Sequence, residues 1–150
     1  MRTLIHERVE LARKGQSQNV VCRLRSGWLV LGDWQFILGY CLLSPDPVVP
    51  SLNDFSENER AVFLLEMAEI GDALLATTDA YRINYEILGN CEPALHAHIF
   101  PRRLREPDEY RSGPVFRYPA EMRQTDPFDP VRHAKLRDAI KAFLEREGRE

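Results

Sequence analysis

Cysteine is scarce in this sequence, with only three in 150 residues. Cys22, Cys41 and Cys91 form no Cys-x-x-Cys pair, and an odd number leaves one without a partner. A disulfide framework and a cysteine-based zinc site are therefore both disfavoured. Reduced thiols are typical of cytoplasmic proteins, and the cytoplasm is the location that we expect.

The sequence also lacks any long apolar run. No stretch approaches the roughly 20 apolar residues that a membrane-spanning helix requires. Residues 1–15 alternate apolar and charged side chains, which is unlike a signal peptide. A net charge of −3 argues against a generally basic surface for nucleic acid. We therefore expect neither a membrane nor a nucleic acid as partner.

Lysine is nearly missing, because 17 of the 20 basic residues are arginine. Six of these arginines crowd the segment 102–123: Arg102, Arg103, Arg105, Arg111, Arg117 and Arg123. One interpretation is a solvated loop in a protein that favours arginine. The other is phosphate recognition, because the planar guanidinium fork pairs well with phosphate oxygens. The sequence leaves both interpretations open.

Hydrophobic periodicity and turn signals predict a single α+β domain over residues 1–150. A capping box at Ser56–Glu59 begins one long central helix that reaches about Thr77. Shorter helices are predicted near both termini, the second starting at Asp129-Pro130. Short links and few crossover helices favour a mostly antiparallel sheet. The predicted strands are residues 19–24, 28–31, 35–43, 81–88 and 94–100, and the segment 103–128 is predicted to be irregular.

Two of the four histidines, His96 and His98, are separated by one residue. On a strand this spacing places both imidazoles on one face, because side chains alternate with period two. Ordinary packing is one interpretation of the pair. A metal site is a second, with Glu92 or Cys91 as a further ligand, but it lacks a clear third histidine.

The third interpretation is that one imidazole attacks phosphorus. Histidine suits this reaction because its neutral form is populated near pH 7 and it can form a covalent intermediate. The neighbouring residues should then bind phosphate through amides, backbone N–H groups or guanidinium groups. Asn90, the turn at Gly89 and Arg102 are groups of this kind.

The segment Gly89–Arg102, Gly-Asn-Cys-Glu-Pro-Ala-Leu-His-Ala-His-Ile-Phe-Pro-Arg, resembles the signature of the histidine triad family. That signature alternates three histidines with apolar residues, follows Gly-Gln or Gly-Asn, and precedes Pro-Arg. The resemblance implies that His96 is the nucleophile and that His98 hydrogen-bonds the phosphate and assists the leaving group. It further implies that substrate is bound by Asn90, Cys91, Arg102, Asp33 and Tyr40.

The resemblance extends over about half the chain, from Trp28 to Arg105, with two departures. The first histidine of the signature is Ala94 here, and the histidine of an upstream Gly-His pair is Tyr40. We hypothesise that the Tyr40 ring fills the space left at Ala94 and that its hydroxyl replaces the lost polar contacts.

The resemblance implies a fold of about five antiparallel strands with one long central helix, a homodimer, and a nucleotide substrate. The implied reaction cleaves a phosphorus–X bond at the α-phosphate through a nucleotidyl-histidine intermediate. No cofactor is required, although a divalent ion can accompany the nucleotide. The alternatives are a nucleotide-binding module with little or no turnover, and a metal-dependent hydrolase that uses the His-x-His pair.

Overall fold

The computed structural model describes residues 2–146 and contains a five-stranded antiparallel sheet. The strand order is β1-β2-β3-β5-β4, and every neighbouring pair is antiparallel. The predicted α+β class with an antiparallel sheet is therefore confirmed. The strands are β1 Val20–Arg23, β2 Gly27–Leu31, β3 Cys41–Pro45, β4 Arg82–Ile87 and β5 Ala97–Arg102.

One long helix lies centrally in the chain, as predicted. At its start the Ser56 backbone N–H donates to Glu59 Oε1 over 2.9 Å, and the Glu59 N–H donates to Ser56 Oγ over 3.2 Å. This reciprocal pair satisfies donors that a helix start leaves unpaired. The helices are α1 Leu4–Arg13, α2 Glu57–Thr77, α3 Asp108–Arg111, α4 Ala120–Arg123 and α5 Ala134–Arg146. Short 3₁₀ helices occupy Leu52–Asp54 and Val115–Arg117. None of the helices described is long and apolar enough to cross a bilayer.

The main hydrophobic core lies between the sheet and the α2–α5 layer. The sheet contributes alternate residues, as the period of a strand requires, and α2 and α5 contribute one apolar stripe each. Fully buried members include Leu29, Leu43, Ile99, Phe63, Ile70, Leu74, Ile140 and Leu144. The opposite face of β5 is thereby left for His98, Phe100 and Arg102.

The predicted strand over residues 35–43 is wrong for its first six residues. Residues 35–40 form a turn, and the strand begins at Cys41. Gln35 is buried and holds the turn closed: its Oε1 accepts the Gly39 N–H, and its Nε2 donates to the carbonyls of Gly32 and Tyr40. Gly39 has a φ of +97°, which residues with a Cβ rarely adopt. Side-chain hydrogen bonds to the backbone thus replace the strand ladder here.

Two other predicted boundaries shift. The strand expected over residues 94–100 begins at Ala97, and the residues before it form a turn. The terminal helix starts at Ala134 rather than Asp129. Asp129 nevertheless acts as a cap, since its Oδ1 accepts the backbone N–H groups of Val131 and Arg132 over 2.8 Å each.

The segment 103–128 returns across the histidine-bearing face of the sheet. Its end pairs with the turn before β3: the Gln35 N–H donates to the Asp126 carbonyl over 2.7 Å, and the Phe128 N–H donates to the Asp33 carbonyl over 2.8 Å. Val115 and Tyr118 are its buried apolar anchors. The predicted irregular segment is therefore an ordered wall with short helices.

Candidate functional site

His96 and His98 lie side by side, with ring centroids 5.0 Å apart and ring planes at 73°. His96 is almost fully buried, and its Nδ1 lies 2.7 Å from the carbonyl oxygen of Ala94. Because a carbonyl can only accept, we assign the proton of neutral His96 to Nδ1. Its Nε2 then keeps a lone pair, which is the form that can attack phosphorus.

We assign the opposite tautomer to His98, with the ring proton on Nε2. Its Nδ1 lies 2.6 Å from the Tyr40 hydroxyl, and the two rings are stacked. Burial raises the pKa of Tyr40, so its hydroxyl keeps its proton, and we assign this O–H as the donor and Nδ1 as the acceptor. Nε2 of His98 then carries the ring proton and is a donor. Burial, followed by the neighbouring His96, lowers the pKa of His98 to about 4, so the ring is neutral at pH 7.

The space around Ala94 is not filled by the Tyr40 ring, contrary to the hypothesis drawn from the sequence. Ala94 is fully buried and packs with Ile5 and Val9 of α1. Tyr40 packs in another cluster, where its ring stacks on Phe100 with centroids 4.4 Å apart. The N-terminal helix, rather than Tyr40, therefore occupies the neighbourhood of the absent histidine, and the Tyr40 hydroxyl serves His98.

A pocket of about 210 Å³ opens beside His98. We call it the aromatic pocket; it is lined by Trp34, Phe36, Tyr40, Glu86, His98, Phe100, Val115, Phe116, Arg123 and Gln124. Four of these residues come from the returning wall, so one chain supplies both the histidine and the facing surface. Flat aromatic walls with few polar groups are typical of small-molecule sites.

Arg102 is not available to bind substrate, so that prediction is wrong. Its side chain is 2% exposed, and all of its guanidinium nitrogens donate within the protein. The acceptors are the carboxylate of Glu106, the side-chain oxygen of Asn84, and the carbonyls of Tyr110 and Gly113. The guanidinium holds the wall against β5 because its five N–H donors suit convergent carboxylate and carbonyl acceptors.

Asn90 and Cys91 lie exposed in the loop between β4 and β5. Gly89 precedes them with a φ of +88°. Two hydrogen bonds hold the later part of the loop, at Glu92 and Leu95. The Leu4 N–H donates to Glu92 Oε2 over 3.2 Å, and the Leu95 N–H donates to the Val49 carbonyl over 2.8 Å. The phosphate-binding roles of Asn90 and Cys91 stay predictions.

Asp33 lies outside the aromatic pocket, in a separate cleft between α1 and β2. Its carboxylate pairs with Arg8 of α1 and accepts from Asn19 Nδ2 over 3.3 Å. Half of its side-chain surface is exposed, so a ligand in that cleft can reach it. Its expected place near a ribose stays a prediction.

Glu86 is a site residue that sequence reasoning missed, and Arg123 was named only as one of the six arginines of the segment 102–123. Glu86 is the cross-strand neighbour of His98, and Arg123 ends the short helix that faces it. The period of β4 could have placed Glu86 on the histidine face, but only with the pairing register known. In residues 2–146, no three histidine, cysteine or carboxylate side chains converge as metal ligands do.

No protein-family model and no curated protein sequence matches the chain. Several solved structures match it closely in three dimensions. A histidine triad protein from Marinobacter aquaeolei superposes with a TM-score of 0.73 at 18% identity, covering 97% of this chain and 98% of that one. One from Sinorhizobium meliloti gives 0.71 at 21% identity, over 90% and 93%. The chain has the histidine triad fold.

The same fold occurs in a zinc-bound histidine triad family protein from Mycobacterium smegmatis, with a TM-score of 0.65 at 19% identity over 89% of this chain and 91% of that one. Identities this low show shared architecture rather than shared chemistry. Relative to the signature that its sequence resembles, this chain departs at Ala94 and at Tyr40, whose hydroxyl lies 2.6 Å from Nδ1 of His98.

Tyr40→Phe should remove the hydrogen bond that fixes the tautomer of His98, while the aromatic ring stacked on His98 is kept. Without the hydroxyl, Nδ1 loses its donor, and the Nε2-protonated form is no longer favoured. Loss of one hydrogen bond, worth about 1 kcal/mol, is enough for the Nδ1-protonated form to become populated. Nitrogen-15 NMR of the imidazole should show a mixed tautomer population. An unchanged His98 spectrum would contradict the assignment.

Stability should depend on the titration of His98. The pKa of this group is about 4 in the folded chain against an ordinary 6.5, so below pH 6.5 the unfolded chain binds more protons. The free energy of unfolding should then fall as pH drops from about 7 towards 4. In urea titrations, the wild-type protein should lose about 3 kcal/mol more of its free energy of unfolding over this pH range than a His98→Asn variant loses. Parallel pH curves for the two proteins would refute this.

Proposed function

We propose that this protein belongs to the histidine triad family and is a nucleotide hydrolase or nucleotidyltransferase that acts at the α-phosphate. The observation that carries the proposal is the hydrogen bond between His96 Nδ1 and the Ala94 carbonyl, because in the neutral ring it places the lone pair on Nε2. A donor, His98, lies beside it at a ring separation of 5.0 Å. A nucleophile paired with a donor is the minimum needed for phosphoryl chemistry.

The reaction proceeds in two displacements. His96 Nε2 attacks the α-phosphorus, an N–P bond forms, and the bond from phosphorus to the leaving group breaks. Water then attacks the nucleotidyl-histidine, the N–P bond breaks, and the nucleotide monophosphate is released. His98 Nε2–H donates to a phosphate oxygen and offsets charge that develops in each transition state. Asn90 and the Cys91 N–H bind the remaining oxygens, and Asp33 binds the ribose.

A nucleotide-binding module with little turnover is the second candidate, and the surroundings of Ala94 favour it. Where the signature has a histidine, Ala94 offers His96 its backbone carbonyl and packs against Ile5 and Val9, so residue 94 supplies no side chain for proton transfer. The metal-dependent alternative gains no support from Glu92, whose carboxylate accepts from the N-terminus of α1.

A homodimer is also part of the proposal. Strand β4 is one edge of the sheet, and edges offer unpaired backbone groups to a partner. Large apolar side chains are exposed on β4, on the two residues that flank it and on α2, namely Tyr85, Tyr81, Leu88, Leu64, Leu65 and Leu75. Such a concentration of exposed apolar side chains is typical of an interaction surface. The cytoplasm remains the proposed location, because Cys22, Cys41 and Cys91 are reduced thiols.

Incubation with adenosine 5′-phosphoramidate separates the two candidates. The enzyme should release adenosine monophosphate over many turnovers, with or without a chelator. The binding module should be stabilised against heat by adenosine monophosphate yet release no product. Turnover that a chelator abolishes and zinc restores would overturn the covalent mechanism.

A further inference from the structure

The proposed chemistry needs a proton for the leaving group. An amine or alkoxide leaves phosphorus readily only when an acid protonates it in the transition state. His98 is a poor source at neutral pH, because its ring is neutral and its Nδ1 already accepts from Tyr40. Ala94 supplies no side-chain acid at the position where the signature has its first histidine.

Glu86 is placed to supply that proton. It lies on β4 directly opposite His98 on β5, so the two side chains share a face of the sheet. Directly opposed Cβ atoms lie about 4.5–5.5 Å apart. Glu86 and His98 line the aromatic pocket together, and Glu86 is the only carboxylate lining that pocket among residues 2–146.

One oxygen of the Glu86 carboxyl group lacks a hydrogen-bond partner. This oxygen, Oε2, is also shielded from solvent. Two other buried carboxylates differ: Glu66 accepts the backbone N–H groups of Arg25 and Ser26, and Glu106 accepts from Arg102 and Tyr118. An ionised carboxylate held without partners is costly, and the neutral acid removes that cost.

The charged and titratable groups around Glu86 come from three elements. His98 and Arg102 lie on β5, Tyr40 lies in the turn before β3, and Arg123 lies on α4. Burial raises the pKa of Glu86, and the Arg102 charge opposes this only in part, because Arg102 is paired with Glu106. His98 and Tyr40 are neutral at pH 7.

We propose that the aromatic pocket receives the leaving group and that Glu86 is the general acid that protonates it. This inference rests on the proposed function. As His96 Nε2 forms its bond to phosphorus, the bond to the leaving nitrogen or oxygen breaks. The electron pair goes to the leaving atom, which takes the proton of Glu86. The products are the neutral amine or alcohol, the nucleotidyl-histidine and the Glu86 carboxylate.

The second displacement restores the acid. Glu86, now a carboxylate, takes a proton from the water that attacks phosphorus, and the bond to His96 breaks. The net reaction consumes one water and leaves both residues in their starting forms. The leaving group departs from the side of phosphorus opposite His96, and the water attacks from that same side, so one residue can serve both steps.

Glu86→Gln tests the inference with two substrates that share the adenosine 5′-phosphoryl group. One carries an alkylamine, which must be protonated to leave. The other carries 4-nitrophenol, which is stable as an anion and needs no acid. The variant should lose about 10²–10⁴-fold in the formation of the His96 adduct from the alkylamine substrate. Adduct formation from the nitrophenyl ester should stay within about threefold of wild type, as judged by the burst of nitrophenolate.

Glu121→Gln is the matched control, because Glu121 is an exposed carboxylate on α4 near the wall of the pocket. It should leave both substrates unaffected. Equal losses on the two substrates in Glu86→Gln would overturn the acid assignment and indicate a structural role. Unchanged rates on both substrates would also overturn the acid assignment. If wild type forms no adduct with the nitrophenyl ester, the proposed function fails, independently of Glu86.

Discussion

His96→Ala is expected to lower the turnover of an adenosine phosphoramidate by about 10⁴-fold or more. The side chain supplies the attacking atom, and the nearest alternative imidazole, His98, has its Nδ1 bound to Tyr40 and presents a protonated Nε2. No reorientation of His98 provides a lone pair at the phosphorus without breaking that bond. Steady-state release of adenosine monophosphate is the measurement.

The control for this prediction is His6→Ala, which removes a histidine from α1 outside the pair. It should keep most of the wild-type rate. Both variants should retain adenosine monophosphate binding in calorimetry, which shows that the fold is intact. A His96→Ala protein that keeps a tenth of the wild-type rate would contradict the nucleophile assignment.

Arg102→Ala should produce the largest loss of stability. The change leaves the Glu106 carboxylate buried without its main cation, and it leaves the carbonyls of Tyr110 and Gly113 without their donor. Removing one member of a buried ion pair typically costs about 3–5 kcal/mol. The same contacts hold the wall of the aromatic pocket, so its residues should lose protection in hydrogen exchange. Urea unfolding measures the free energy.

Arg105→Ala is the matched control, because Arg105 is in the same arginine-rich segment but pairs with Asp79 on the surface. An exposed pair contributes little, so unfolding should hardly change. Equal destabilisation by the two variants would contradict the structural role of Arg102. A loss of nucleotide affinity in Arg102→Ala with full stability would restore it as a substrate-binding residue.

Local signals in the sequence predicted much of the architecture. The capping box at Ser56 and Glu59 forms within four residues, so it needs no knowledge of distant partners. The spacing of His96 and His98 likewise predicted neighbouring rings, which lie 5.0 Å apart. Signals of this kind depend on the geometry of a single turn or strand.

Features that depend on distant contacts were not predictable in the same way. Residues 35–40 are apolar enough for a strand, but Gln35 folds them into a turn through three backbone contacts. Arg102 ends the signature segment and was therefore predicted to bind substrate, yet its acceptors lie on β4 and on the returning wall. The pairing of Glu86 with His98 needs the register of β4 on β5, which depends on the whole fold.

The central claim is that His96 becomes covalently nucleotidylated. Brief incubation with adenosine 5′-(4-nitrophenyl phosphate), acid-free quenching and intact-mass analysis should show one added adenylyl group per chain. Fragmentation should place it on His96, and the His96→Ala protein should carry none. Product release without any adduct, or an adduct on His98 or another residue, would contradict the account.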